Sequence, residues 1–247
     1  MRVFLALCCI LGLQWPIAST ACELTVAAAS SLTLPFKRIV GDFKQLSGCQ
    51  VALHFAASGV LVQQLSHGAP FDLIATADQL SMDTAIGAGL LDKNSRQDFI
   101  QNQLVMIGQP QRSPQSLAYW LAQPSSQIAI GNPASVPAGR YTQQALQQLG
   151  VWQQTATHMV KAANVRQVLD FVARGEVDAG FVYASDAFGQ PVTVIAKFNT
   201  TQPIKYPVAA SRQSKYMLQA LQFIAYLQSA AAQQVLLDHG FTGNTPP

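Results

Sequence analysis

The chain has 247 residues, 49% of them hydrophobic and 11% charged, with a formal net charge of +3. It is too apolar for a disordered chain and long enough for one large domain or two lobes of ordinary size. So small a charge, with no basic stripe, excludes a nucleic-acid binder but would not repel a small anion.

The chain opens MRVFLALCCILGLQWPIASTACELTV. Arg2 is a short positive start, and Val3 to Leu13 is an unbroken apolar run. That run falls short of the ~20 apolar residues a bilayer span needs. Small residues Ala18, Ser19, Thr20 and Ala21 follow, as at a signal-peptidase site. A signal peptide over residues 1–21 is expected, with a soluble, exported mature chain beginning at Cys22. Cleavage leaves two cysteines, Cys22 and Cys49, and an oxidising compartment then favours one disulfide. Each lies just before a strand-like run, and adjacent parallel strands would set their starts side by side. The alternatives are a lipoprotein acylated at Cys22, against which stands Ser19 where such signals usually carry Leu, and two unpaired buried thiols.

From Cys22 onward strands and helices alternate. Leu24–Ala29 reads as a strand; Leu32, Phe36, Ile39, Val40 and Phe43 then recur at helical spacing. Val51–Phe55 is a second strand, and a helix around Val60–Leu65 ends near Gly68. Asp72–Ala75 is a third strand, and a helix over Gln79–Ala88 is closed by Gly89. Strands follow near Gln103–Gly108 and Gln127–Gly131. Helices are expected through Tyr141–Leu149, capped by Gly150, and from Val165 to Arg174, capped by Gly175. Ala179–Tyr183, Val192–Phe198 and Tyr206–Ala209 are further strands. One helical stretch, rich in Ala, Leu and Gln, runs from Lys215 to His239. This alternation predicts an α/β fold with mainly parallel sheets in two lobes. In such sheets ligands bind where strands end and helices begin.

Four of those turns stand out. In VAAASSLT, Ser31 is read as an N-cap, with Pro35 in the first helical turn. HFAASGVL repeats the plan with Ser58. In GNPASVPAGRY, Pro137 fits the first helical position, and Ala138 and Gly139 offer bare backbone N–H groups. In AANVRQVL, Asn164 is the cap and the Val165 N–H is exposed at the helix start. Each turn offers free N–H groups and the positive end of a helix dipole, the makings of an anion site without a charged side chain. Ser and Asn cap helices everywhere, so any one of these turns alone points to nothing, and composition does not make four converge. The histidines His54, His67, His158 and His239 are scattered, and neither they nor the cysteines have zinc-ligand spacing. No cofactor and no side-chain metal site is expected.

Across residues 23 to 241 these stretches, with HGAPFDLIATAD, NVRQVLDFVARGEVDAGFVYASDA and QQVLLDHGF, resemble the periplasmic molybdate-binding proteins of bacterial ABC transporters. The VPAG loop and the GFVYASDA strand are the most specific parts. The resemblance implies a two-lobed, type II periplasmic-binding-protein fold that closes on one molybdate or tungstate and hands it to a permease at the inner membrane. It implies hydroxyl and amide donors at Ser31 and Ser58, amides at Ala138 and Val165, and the Tyr183 hydroxyl. It also implies a first lobe over residues 22–103 and 206–247, a second over 104–205, and a periplasmic monomer. The sequence departs from relatives at Gly59, where another Ser is common; the Gly amide remains, so little change in binding is expected. Arg140 and Arg166 flank the donors and are expected to face solvent or pair with Asp or Glu, the alternative being weak steering of the anion. The alternatives of function are a receptor for another tetrahedral oxyanion, such as sulfate, thiosulfate or phosphate, and an oxyanion sensor. An enzyme is not expected: there is no G-x-S-x-G, and the sole histidine near Ser31 or Ser58 is His54, four residues before Ser58 on a strand.

Overall fold

Strands covered by helices on both faces must be apolar on both, and Leu24–Ala29 meets that need with small and branched residues, nearly all buried. The computed structural model describes residues 22–110, 117–122 and 126–243; the leader expected over residues 1–21 lies outside them. The chain runs β1 (Glu23–Ala29), a 3-10 turn at Ser30–Leu32, α1 (Thr33–Ser47), β2 (Gln50–Ala56), α2 (Ser58–Ser66), β3 (Leu73–Ala75), α3 (Gln79–Gly87) and β4 (Gln97–Asn102). It continues through β5 (Leu104–Gly108), α4 (Leu117–Ala122), β6 (Ile128–Gly131), α5 (Pro137–Gln148), α6 (Trp152–Thr155), β7 (Met159–Ala162), α7 (Val165–Ala173), β8 (Ala179–Tyr183), α8 (Ala184–Ala187) and β9 (Thr193–Phe198). It closes with β10 (Ile204–Ala210), α9 (Met217–Leu227) and α10 (Ala230–Leu237).

Two five-stranded sheets result, in the orders β2-β1-β3-β10-β4 and β7-β6-β8-β5-β9. In each, four strands run one way and one runs against them. The reversed strand is β10 in the first sheet and β5 in the second. The expectation of mainly parallel sheets therefore holds for strand direction, but both sheets are mixed. The reason is the path of the chain. It leaves β4 at its carboxyl end, crosses at Gln103, and enters the second sheet as β5 beside the carboxyl end of β8, with Leu104 opposite Tyr183. It returns from β9 to β10, where Ile204 lies opposite Asn102 at the end of β4. A strand that starts where its neighbours end must run against them. Both crossings thus lie at the carboxyl ends of the parallel strands, and those ends face each other between the lobes.

Two strands escape a sequence reading, β4 and β7. Both are edge strands, and their sequences QDFIQN and MVKA mix polar and apolar residues over few positions, so neither the strand period nor an apolar run stands out. The single helical stretch expected to the C-terminus is broken in two. Ser229 accepts the Ala232 N–H at 3.3 Å and starts α10 afresh. The first lobe's core joins α1 to α9 through Phe43 and Phe223, whose rings meet edge-on at 5.0 Å.

Cys22 and Cys49 form a disulfide, with Cα atoms 4.7 Å apart. The parallel register that pairs Glu23 with Gln50 sets the two residues side by side. The bond joins residues 27 apart, for which loop-closure entropy gives a stabilisation of ~3.5 kcal/mol. Replacing both cysteines by Ser should lower the unfolding free energy in urea by roughly that amount. An unchanged midpoint, or two free thiols in unfolded, unreduced protein, would contradict this.

Candidate functional site

Ser31 lies in the turn that follows β1, Ser58 is the first residue of α2, Ala138 the second of α5, Val165 the first of α7, and Tyr183 the last of β8. All five are buried. Neighbours link them across the two lobes. The start of α2 meets the loop before α5 where the Gly59 N–H donates to the Ser135 carbonyl at 3.0 Å. The Tyr183 hydroxyl reaches the Ala77 carbonyl at 3.4 Å, and the Ala77 N–H donates to Ser58 Oγ at 3.0 Å. The Tyr183 ring lies against Tyr206, centroids 5.8 Å apart, and Tyr206 Oη is 2.9 Å from Ser31 Oγ. Helix α7 packs on the Ser30–Leu32 turn. The first N–H groups of a helix have no partner within it, and Ser58, Ala138 and Val165 hold such positions in α2, α5 and α7.

The expected capping roles divide. Asn164 caps α7 by accepting the Gln167 N–H at 3.0 Å, and Pro137 opens α5. Ser31 and Ser58 do not cap. A capping residue precedes the helix in extended backbone, and that place is held by Ala29 before the 3-10 turn and by Ala57 before α2, with ψ of 141° and 143°. Both serine hydroxyls are thereby released for contacts at the lobe boundary.

The glycines of GNPASVPAGRY have a packing reason too. A Cβ on Gly139 would stand 1.9 Å from the Gly131 carbonyl oxygen, and one on Gly131 would stand 2.4 Å from Val136 Cγ1. The loop folds so tightly onto the end of β6 that side chains do not fit. Gly59 is similarly placed, since a Cβ there would lie 2.7 Å from the Ser135 carbonyl oxygen on the opposite lobe. The departure at Gly59 therefore permits the close approach of the lobes.

Both arginines pair with carboxylates. Arg140, on α5, grips Asp78 across the lobes through Nη2 at 2.5 Å and Nε at 3.1 Å, and Nη2 also reaches Ser81 Oγ at 3.0 Å. A cavity of about 260 Å³ opens beside this pair, lined in part by Tyr141, Gln144 and Thr200. Arg166 lies 3.7 Å from the buried Asp186. Burial pushes the Asp186 carboxyl up to about 7, against the pull of Arg166 and of the Tyr183 N–H. Burial likewise raises the hydroxyls of Tyr183 and Tyr206, so both keep their protons and can donate. Sequence reasoning missed Asp78, Asn102, Ser185 and Tyr206. Tyr206 sits in an apolar strand and reads as core, and no local signal marks the others. What the arrangement offers is a buried seam rich in hydrogen-bond donors, suited to a ligand made of acceptors.

The family model for bacterial extracellular solute-binding proteins matches residues 24–242. The molybdate-binding protein ModA of Escherichia coli is 36% identical over 231 residues, 89% of each chain. A solved substrate-binding domain of a putative molybdenum ABC transporter from Clostridium difficile is 31% identical, with a TM-score of 0.70, covering 91% of this chain and all of its own. A sulfate-binding protein of Mycobacterium tuberculosis superposes with a TM-score of 0.81, over 91% of this chain and 88% of its own, at 17% identity. That last likeness concerns the fold alone, which is thus shared by receptors for different anions. By the span of the family match and its likeness to these relatives, the chain belongs to the bacterial extracellular solute-binding proteins.

Proposed function

We propose that the protein captures molybdate, or tungstate, between its lobes in the periplasm and delivers it to the permease of an ABC transporter. Membership in the family makes it a solute-binding protein, not an enzyme. In this reading Ser31 and Ser58 give hydroxyl and amide donors from the first lobe, Ala138 and Val165 give amides from the second, and Tyr183 gives its hydroxyl. What supports it is that all five residues are buried at helix starts and strand ends, that their neighbours touch across the lobes at Gly59–Ser135 and Tyr183–Ala77, and that the nearby arginines lie against Asp78 and Asp186. A fully ionised dianion has acceptor oxygens alone and suits donors alone, whereas hydrogen phosphate carries a proton that needs an acceptor. Sulfate matches molybdate in charge and shape and is the main rival; size is what separates them. The ligand would bridge the lobes and favour the closed form, with the hinge at the two crossings. The closed monomer is what the permease would recognise.

Loss of one donor to a buried charged acceptor costs ~1.5–3 kcal/mol. Ser31→Ala and Ser58→Ala should therefore each weaken molybdate binding about tenfold or more by calorimetry; parent-like affinity in both would remove them from the site. Gly59→Ala adds a methyl against the Ser135 carbonyl, and overpacking of this kind costs ~1–3 kcal/mol. It should weaken molybdate binding by about fivefold or more without lowering thermal stability of the ligand-free protein. Unchanged affinity would show that the lobes do not need this approach to close.

A further inference from the structure

Two side chains outside the proposed ligand set form a hydrogen-bonded chain that ends on the Ser31 hydroxyl. Asn102 ends β4, beside the first crossing, and is buried. Its Oδ1 accepts two backbone N–H groups, from Gln103 at 2.9 Å and from Ser185 at 3.4 Å. Backbone N–H groups can only donate, so the oxygen of the amide must face them and the NH2 must face the other way. There Nδ2 lies 2.8 Å from Ser185 Oγ and 3.2 Å from Tyr206 Oη. An amide NH2 also can only donate. Tyr206 Oη therefore accepts from Asn102, and its own single proton is left for Ser31 Oγ at 2.9 Å. When Tyr206 gives that proton to Ser31, the Ser31 O–H is left to be given elsewhere. The two backbone groups at its start fix the Asn102 amide and make Tyr206 Oη an acceptor there; between Tyr206 and Ser31 either oxygen can donate, and this polarity leaves the tyrosine proton available for Ser31.

We infer that Asn102 and Tyr206 are positioning residues that hold Ser31 as a donor toward a bound oxyanion and so favour fully ionised ligands over ones that carry a proton. The inference rests on the reading of Ser31 as a ligand-binding residue. Ser58 is set in the same sense by a simpler device: the Ala77 N–H donates to its Oγ at 3.0 Å, which leaves the Ser58 O–H to donate. Without Tyr206 Oη, the Ser31 hydroxyl can turn and present its lone pairs, which a protonated oxyanion can use.

Tyr206→Phe tests this, because it keeps the ring contacts with Tyr183, Phe99 and Phe241 and removes the one hydroxyl. Calorimetry with molybdate and with inorganic phosphate near pH 7 would compare the parent, Tyr206→Phe, Ser31→Ala and the double variant. Tyr206→Phe should weaken molybdate binding about tenfold and narrow the preference for molybdate over phosphate. The double variant should bind no worse than Ser31→Ala alone, within about twofold, since the tyrosine acts through the serine. A Tyr206→Phe protein with parent affinity and preference, or losses that multiply in the double variant, would overturn the inference while leaving Ser31 in the site. Parent-like binding by Ser31→Ala would instead overturn the site assignment on which it rests.

Discussion

A polar seam buried between two lobes must satisfy its own donors and acceptors, or closing it costs free energy. The rest of this structure follows from that constraint. Ser31, Ser58, Asn102, Tyr183, Ser185 and Tyr206 are all buried, and each has a hydrogen-bond partner within the protein. Of the charged groups beside them, Arg140 is hydrogen-bonded to Asp78, and Arg166 lies 3.7 Å from Asp186, whose Oδ1 has no hydrogen-bond partner among the described residues. An arginine left unpaired there would attract any anion; paired, it leaves recognition to groups with fixed direction. Small backbone elements do the remainder. Gly59 and Gly139 allow contacts with Ser135 and Gly131 that a Cβ would block, so the start of α2 meets the loop before α5 and the start of α5 meets the end of β6 at backbone distance.

The topology brings those helix starts together. Each sheet takes in the crossing chain as a reversed strand, β5 or β10, and this turns the carboxyl ends of the other four strands toward the crossing. The turns after β1, β2, β6, β7 and β8 all lie at those carboxyl ends. Asn102 belongs to this arrangement in two ways, as the last residue before the first crossing and as the start of the hydrogen-bond chain through Tyr206 to Ser31. In the proposed mechanism, the residue next to the hinge therefore also sets the polarity of a ligand-binding hydroxyl.

Much of this was legible in the sequence. The central strands β3, β6 and β8 are unbroken apolar runs, and β1 from Leu24 is interrupted by Thr25 alone, because they are covered on both faces, and the helices between them show their period. Pro137 and Asn164 announce helix starts by chemistry that acts within a few residues. The edge strands β4 and β7 were not legible, since one face or edge is open and their composition is mixed. The roles of Ser31 and Ser58 were half legible: their places at strand ends are local facts, but their hydroxyls bond to Tyr206 and Ala77, 175 and 19 residues away. Tyr206 and Asn102 could not have been found at all. The two lie 104 residues apart along the chain, and nothing near either residue records that the fold will join them. Nor does the sequence around Gly59 record its contact with Ser135 across the lobes.

The central claim is that this seam closes on a dianion and chooses it by size and by its lack of a proton. The most direct test is a calorimetric titration of the purified mature protein with molybdate, repeated in excess sulfate and in excess phosphate. The account predicts tight binding of one molybdate per chain that neither competitor displaces. No binding, or ready displacement by sulfate, would contradict it.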